Sequence, residues 1–161
     1  MSVPAAGRDI TTIDVEGRLY ADDLAIGDWM ALGTVSVTRD EIVQFAMRYD
    51  PLPIHIDGAG SPFGDVIASG MHTLALFSSL CSPNFLARMA VVAGKGIDRL
   101  RLPHPVRPGA VLSANAEVVD ISMGSRRADV HCRYEMQDQD SNVVMSMVGV
   151  QVINRRCAEK G

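Results

Sequence analysis

The side chains best suited to chemistry lie close together in the sequence, between Asp50 and His72. Asp50, His55 and Asp57 supply two carboxylates and an imidazole, and Pro51 and Pro53 restrict the backbone that joins the first two. Carboxylates and imidazoles are typical acid–base catalysts. A single Asp near a single His is, however, more often a solvated pair or a hydrogen bond at a helix end. These residues alone therefore leave catalytic and structural interpretations open.

A helix is expected immediately before this stretch. Thr38 and Glu41 match a capping box, with Thr38 as the N-cap. Apolar residues then follow at helical spacing: Ile42, Phe45, Ala46 and Tyr49. Pro51 ends the helix, because the residue before a proline avoids helical dihedral angles. Asp50 is thus expected at a helix C-terminus, where the macrodipole is unfavourable for a carboxylate.

A second helix, over residues 70–82, is apolar on almost every side, which predicts a buried helix that ends at Pro83. Beyond it the pattern changes to strands, predicted around 97–102 and over 111–119, 128–136 and 143–153, with a hairpin loop at 138–142. A further strand at 34–38 precedes the first helix. The pattern predicts an α+β fold, in which a strand and a helix precede one buried helix and roughly four long antiparallel strands follow it.

Composition excludes several functional classes. The 161 residues are 47% hydrophobic with a net charge of -4, and they contain no cluster of Lys or Arg, which disfavours nucleic-acid binding. No apolar run is long enough to predict a membrane span. The cysteines form no metal-binding pair, and Cys81 is expected to be a core residue. A reducing cytoplasm is the expected location.

The motif Asp50-x-x-Pro53-x-His55 resembles the Asp-x-Asn-Pro-x-His motif of MaoC-like dehydratases, the (R)-specific enoyl-CoA hydratase family. Two later blocks match further motifs of the same family, in the same order along the chain. The first comprises Phe63-Gly64 and residues 67–70, and the second comprises residues 105–109. The resemblance extends from about Tyr20 to Ile153. It implies a single hotdog domain, with a long antiparallel sheet wrapped around a central helix, and a homodimer whose active sites lie near the interface.

The resemblance also implies a reaction: reversible addition of water to a 2-enoyl thioester, giving an (R)-3-hydroxyacyl thioester. Asp50 and His55 would hold and activate the water, as acid–base catalysis requires. The backbone N–H of Gly70, at the start of the buried helix, would bind the thioester oxygen. The substrate would be an acyl-CoA, and coenzyme A, as part of that substrate, would be the only cofactor.

Further residues are candidates for substrate binding. Ser69 is expected to cap the helix or contact the thioester, Phe63 belongs to a matched block, and His72 is either a pocket residue or a core histidine. Asp57 is expected to be an ordinary loop carboxylate or to orient His55. Several arginines are candidates for contacting coenzyme A phosphates, or are simply exposed: Arg99, Arg101 and Arg107.

The sequence departs from the family motif at two positions. Leu52 occupies the place of the usual Asn, and Ser69 occupies the place of the commoner His. Two other functions therefore remain open: an acyl-thioester-binding subunit without turnover, and a hotdog thioesterase. The thioesterase is disfavoured, because the segment from Gly70 to Ser82 contains no Asp or Glu. The expected organisation is a flexible leader at 1–18, the domain at 19–155 and a tail at 156–161.

Overall fold

A five-stranded antiparallel sheet carries one long helix across its face in the computed structural model, which describes residues 7–156. In chain order the elements are β1 (Trp29–Ser36), α1 (Arg39–Tyr49), α2 (Pro53–Ile56), α3 (Gly70–Asn84), β2 (Val91–Arg101), β3 (Val111–Met123), β4 (Arg127–Gln137) and β5 (Val143–Asn154). Short 3-10 helices lie at Ile10–Thr12, Ala21–Asp23 and Leu86–Arg88. The strand order is β1-β3-β4-β5-β2, so β1 and β2 form the edges.

Alternation of side chains along the strands creates the core. Over 112–118 of β3 and 128–136 of β4 every second residue is buried, and these residues share one core cluster with Phe77 and Leu80 of α3: Leu112, Ala114, Ala116, Val118, Ala128, Val130, Cys132, Tyr134 and Met136. The predicted strands and the hairpin loop at 138–142 are present. Cys81 is buried in the core, as predicted.

The predicted capping box begins α1. Thr38 Oγ1 accepts a hydrogen bond from the Glu41 N–H (3.2 Å), and the Glu41 carboxylate accepts one from the Thr38 N–H (2.7 Å). Two expectations about α3 were wrong. Pro83 lies inside its last turn, where its missing N–H removes only one hydrogen bond. The Asn84 side chain donates to the Leu80 carbonyl in this turn and to the Leu32 carbonyl on β1. The helix is also buried on one side only, because the sheet covers one face and Met71 is 54% exposed.

The boundaries of three strands differ from their predictions. The strand predicted at 34–38 lies over Trp29–Ser36, so it begins five residues earlier and ends before the N-cap Thr38. Strand β2 begins at Val91 instead of after Gly96, and β3 continues to Met123 instead of ending near Val119. In β2 and β3 backbone pairing with the neighbouring strand extends through residues that lack a clear alternation. Pairing across a sheet is a long-range property that local patterns do not contain.

The expected flexible leader packs on the domain over its described part. Ile10 is fully buried, and the Arg8 guanidinium binds the buried carboxylate of Asp28 at 2.6 Å. Residues 1–6 and all of the predicted tail except Arg156 lie outside the described residues. Among the described helices, none has the length and apolar character that crossing a membrane would require.

Candidate active site

Asp50 and His55 are brought together by a tight turn between α1 and α2. Asp50 is the C-cap of α1, and its carbonyl accepts a hydrogen bond from the Leu52 N–H at 2.8 Å. Pro53 begins the single turn of α2, in which the His55 N–H donates to the Leu52 carbonyl at 2.9 Å. The chain thereby reverses, and Asp50 Oδ2 lies 3.6 Å from His55 Nε2. The prolines were predicted to restrict the backbone between Asp50 and His55, and Pro53 does so as the first residue of this short helix.

The ring of His55 has a defined orientation. It is buried (6% exposed), and its Nδ1 lies 2.7 Å from the carbonyl oxygen of Ile67. A carbonyl only accepts hydrogen bonds, so Nδ1 carries the proton and donates it. In the neutral ring, Nε2 is then an acceptor and points towards the Asp50 carboxylate. A water molecule that donates one hydrogen to each group would fit this pair of acceptors.

Ser69 connects the acidic residue to the long helix. Its Oγ donates to Asp50 Oδ2 at 2.6 Å and accepts from the Met71 N–H at 3.2 Å, which makes it the N-cap of α3. The carboxylate, at the unfavourable end of α1, therefore also lies near the favourable N-terminus of α3. Of the two roles expected for Ser69, the helix cap is confirmed, and its hydroxyl is engaged by Asp50.

Replacing Ser69 with Ala removes both hydrogen bonds of this hydroxyl. We expect loss of the cap to lower the free energy of unfolding by about 1 kcal/mol, and loss of orientation at Asp50 to lower kcat by about tenfold. Chemical denaturation and steady-state kinetics measure the two effects. The Ser79→Ala variant is the control, because the Ser79 hydroxyl is exposed and donates only to the Leu76 carbonyl. Equal kcat in both variants would contradict the positioning role.

A cleft of about 250 Å³ lies beside these groups, and Gly70 and His55 both line it. Gly70 is the first residue of α3, so its N–H has no carbonyl partner within the helix. A Cβ built on Gly70 would come within 2.6 Å of Leu102 Cδ1, which shows how closely the opposite wall approaches. Phe63 also lines the cleft, whereas Asp50 is not among its lining residues and lies 3.6 Å from His55 Nε2 through its Oδ2.

The resemblance matched residues 105–109 without giving them a role, and neither it nor the sequence pattern identified the opposite wall of the cleft. Leu102, His104 and Val106 line the cleft because the Ala68 N–H donates to the Val106 carbonyl at 2.9 Å. His104 lines the cleft while its Nδ1 lies within hydrogen-bond distance of the Val143 carbonyl, at 2.9 Å. This contact joins distant parts of the chain, and no local signal marks it.

The structure does not bring His72 to the cleft. Its ring stacks on Phe45, with centroids 4.5 Å apart and planes inclined by 4°, and burial lowers its pKa. His72 is thus absent from the lining of this cleft, and its burial against Phe45 fits the core interpretation. Among residues 7–156, His72 Nδ1 has no hydrogen-bond partner.

The other charged candidates are engaged elsewhere. Asp57 is exposed and accepts from the Ala59 N–H at 2.7 Å, so it is a loop carboxylate and does not orient His55. Arg107 donates to the Phe63 carbonyl at 2.7 Å and fixes that residue at the cleft. Arg99 and Arg101 lie on or at the end of the exposed edge strand β2.

Comparison with known proteins gives consistent matches. The model of the MaoC-like domain matches residues 26–139. The crystal structure of the MaoC-like dehydratase from Rhodospirillum rubrum is 33% identical and superposes with a TM-score of 0.79, over 87% of this chain and 99% of that chain. The 3-hydroxybutyryl-CoA dehydratase of Methylorubrum extorquens is 30% identical over 75% of this chain and 77% of its own length.

One of the similar solved structures is described by the name of its fold. A Mycobacterium tuberculosis protein described as having a double hotdog fold superposes with a TM-score of 0.67 at 20% identity, over 90% of this chain and 47% of that chain. The antiparallel sheet with its long central helix is therefore a hotdog fold, as the family resemblance implied.

Proposed function

The chain belongs to the family of proteins with a MaoC-like domain, and from this premise we propose that it catalyses the reversible hydration of a 2-enoyl thioester. The product is an (R)-3-hydroxyacyl thioester. The observation that carries the proposal is the pair of proton acceptors, Asp50 Oδ2 and His55 Nε2, held 3.6 Å apart beside a cleft. The names of the relatives, a MaoC-like dehydratase and a 3-hydroxybutyryl-CoA dehydratase, support the same reaction.

In the proposed mechanism the pair binds one water. His55 Nε2 accepts a proton as the water oxygen attacks C3 of the substrate, and the nearby carboxylate of Asp50 stabilises the imidazolium that forms. The Asp50–His55 pair then returns a proton to C2. The bond from Nδ1 to the Ile67 carbonyl keeps the ring in the tautomer that this step requires.

The substrate carbonyl needs a stabilising partner, because negative charge moves onto its oxygen when water adds to C3. The N–H of Gly70 supplies a free donor at the positive end of α3, on the same cleft as His55. Such a donor acts on the charge that develops in the transition state. Gly70 is thus the proposed oxyanion-binding residue, and no cofactor is needed beyond the coenzyme A carried by the substrate.

Leu52, the departure from the family motif, is compatible with this mechanism. Its side chain is 51% exposed, while its backbone N–H and carbonyl form the two bonds that shape the Asp50–His55 turn. Those bonds depend on the backbone and not on the side chain. The turn and the separation of Asp50 from His55 are therefore built without an amide at position 52.

We also propose a homodimer joined through β2. This edge strand has 11 residues, nearly all exposed, including Ile97 (55%) and Val92 (42%). A long unpaired edge with apolar side chains favours pairing with another strand. Light scattering should give twice the chain mass, and Gly96→Pro on β2 should reduce it to one chain. A wild-type monomer at micromolar concentration would contradict this arrangement.

The experiment that tests the function is a panel of 2-enoyl-CoA and (R)-3-hydroxyacyl-CoA substrates, followed by the absorbance of the conjugated thioester. We expect absorbance to fall with the first set and rise with the second. Tight binding of acyl-CoA without turnover on the whole panel would instead favour the non-catalytic binding subunit. Release of free coenzyme A would favour a thioesterase. The cytoplasm, where acyl-CoA substrates and reduced cysteines coexist, is the proposed location.

A further inference from the structure

One polar side chain of the catalytic cleft has no part in the proposed mechanism. Among the described lining residues, the polar side chains are those of His55, Thr73 and His104. His55 is assigned to the water, and Thr73 Oγ1 donates to the Ser69 carbonyl at 3.3 Å. His104 Nδ1 lies 2.9 Å from the Val143 carbonyl, and its Nε2 has no hydrogen-bond partner among residues 7–156. The side chain of His104 is exposed, so a bound molecule can reach it.

The contact with Val143 fixes the hydrogen-bonding character of His104. A carbonyl only accepts hydrogen bonds, so Nδ1 carries the proton and donates it. In the neutral ring Nε2 is then an acceptor, and its partner must be a donor. A 2-enoyl group has no N–H or O–H, and the 3-hydroxyl of the product is assigned to the Asp50–His55 pair. The acyl part of the substrate therefore offers His104 no partner.

The cleft has a buried end and an open end. Thr73, Val106 and Val144 are at most 3% exposed, whereas Leu102 and His104 are exposed. The buried end can enclose an apolar acyl group. The hydrophilic carrier of the thioester must leave through the open end, because burying its polar groups without partners is costly. His104 thus lies where the carrier arm leaves the cleft.

A polar space of about 370 Å³ adjoins the cleft at His104. The two spaces share His104, Pro105 and Val106 as lining residues. The hairpin loop at 138–142 supplies the other wall, and its lining side chains are all polar: Asp138, Gln139, Asp140 and Asn142. An arm that passes His104 therefore enters polar surroundings, which suit a chain of amides and hydroxyls.

We propose that His104 is a specificity-determining residue whose Nε2 accepts a hydrogen bond from the first amide N–H of the carrier arm. In a pantetheine thioester this amide follows the sulfur after two methylene groups, and its N–H is the first donor beyond the thioester. The inference rests on the proposed function, because it takes the thioester oxygen to be bound at Gly70. It names the substrate class of that site: thioesters of a pantetheine-type carrier, in preference to thioesters that lack the amide.

The test uses two small crotonyl thioesters, one of N-acetylcysteamine and one of 2-mercaptoethyl acetate. They differ only in that an ester oxygen replaces the amide N–H, so the neighbouring carbonyl is kept. Wild type should prefer the amide in kcat/KM by about tenfold, the value of one hydrogen bond to a group that otherwise lacks a partner. Equal kcat/KM for the two thioesters would overturn the proposal.

Two substitutions separate recognition from a structural role of His104. In His104→Asn the side-chain N–H can replace Nδ1 at the Val143 carbonyl, but no acceptor reaches the position of Nε2. His104→Gln is long enough to keep an acceptor there. The preference should fall to about twofold or less in His104→Asn, with Tm preserved, and persist in part in His104→Gln. The opposite pattern would mean that His104 acts only through Val143.

The matched control is His131→Gln. His131 lies on β4 opposite Asp120 and is not among the residues that line the cleft, so the preference should stay as in wild type. If the small thioesters react too slowly, their inhibition constants against crotonyl-CoA hydration give the same comparison. An equal loss of preference in His131→Gln and His104→Asn would contradict the assignment to His104.

The failure of this inference differs from the failure of the proposed function. Hydration of crotonyl-CoA without a preference for the amide would refute the role of His104 and leave the hydratase intact. If no thioester is hydrated, NMR titration with the saturated butanoyl pair decides the matter. Tighter binding of the amide that His104→Asn abolishes would support the site, and equal dissociation constants would refute it.

Discussion

Replacing His55 with Gln, or Asp50 with Asn, is expected to lower kcat for enoyl-CoA hydration by roughly 10²–10⁴-fold, the usual contribution of a proton-transfer residue. Gln at position 55 has no basic nitrogen to take the proton of water. Asn at position 50 still accepts the hydrogen bond from the Ser69 hydroxyl. Its neutral amide does not stabilise the positive charge of a His55 imidazolium 3.6 Å away. Initial rates measured at saturating substrate would show the loss.

The matched control for this prediction is Asp57→Asn. It removes a carboxylate from the same segment, and its oxygen still accepts from the Ala59 N–H. Because Asp57 is exposed and bonds only its own loop, kcat should stay within about twofold of wild type. Undiminished turnover in either His55→Gln or Asp50→Asn, with Tm preserved, would show that the water is activated elsewhere.

Gly70→Ala is expected to reduce kcat/KM by about 10–100-fold while altering Tm little. The added Cβ narrows the approach to the N–H that is proposed to bind the substrate oxygen. Its close neighbour, Leu102 Cδ1 at 2.6 Å, is the end of a flexible side chain that is 41% exposed, so the protein can accommodate the methyl group by moving it. Steady-state kinetics measure the loss in kcat/KM, and a thermal melt measures the change in Tm.

A double variant identifies the cause of the Gly70→Ala defect. Leu102→Ala removes the crowded atom, so Gly70→Ala combined with Leu102→Ala should relieve any strain and still remain slow relative to Leu102→Ala alone. Full recovery of kcat/KM in the double variant would mean that displacement of Leu102, and not access to the Gly70 N–H, caused the loss. The oxyanion assignment would then be wrong.

Local chemistry explains which parts of the structure were predictable. The capping box at Thr38, the helix end at Asp50 and the cap at Ser69 each depend on a few neighbouring residues, and all are present. The chemical pair Asp50 and His55 is brought together by a turn of the same kind, shaped by Pro53. The family resemblance added the fold and identified the second motif block, which positions Phe63 and Gly70 at the cleft.

The remaining features depend on contacts between distant segments. The one-sided burial of α3 follows from its place on the sheet, and the stacking of His72 on Phe45 joins two helices. The approach of Leu102 and His104 to the cleft is likewise a product of tertiary packing. Helical or strand periodicity contains no information on such contacts, so only the folded structure reveals them.

The most direct measurement of the central claim is hydration of a 2-enoyl-CoA by the wild-type protein in ¹⁸O-labelled water, analysed by mass spectrometry. If Asp50 and His55 activate water for attack on C3, the product will be an intact 3-hydroxyacyl-CoA of (R) configuration with the label in its hydroxyl group. Unlabelled enoyl-CoA at the end of the incubation, or a labelled free acid beside released coenzyme A, would contradict it.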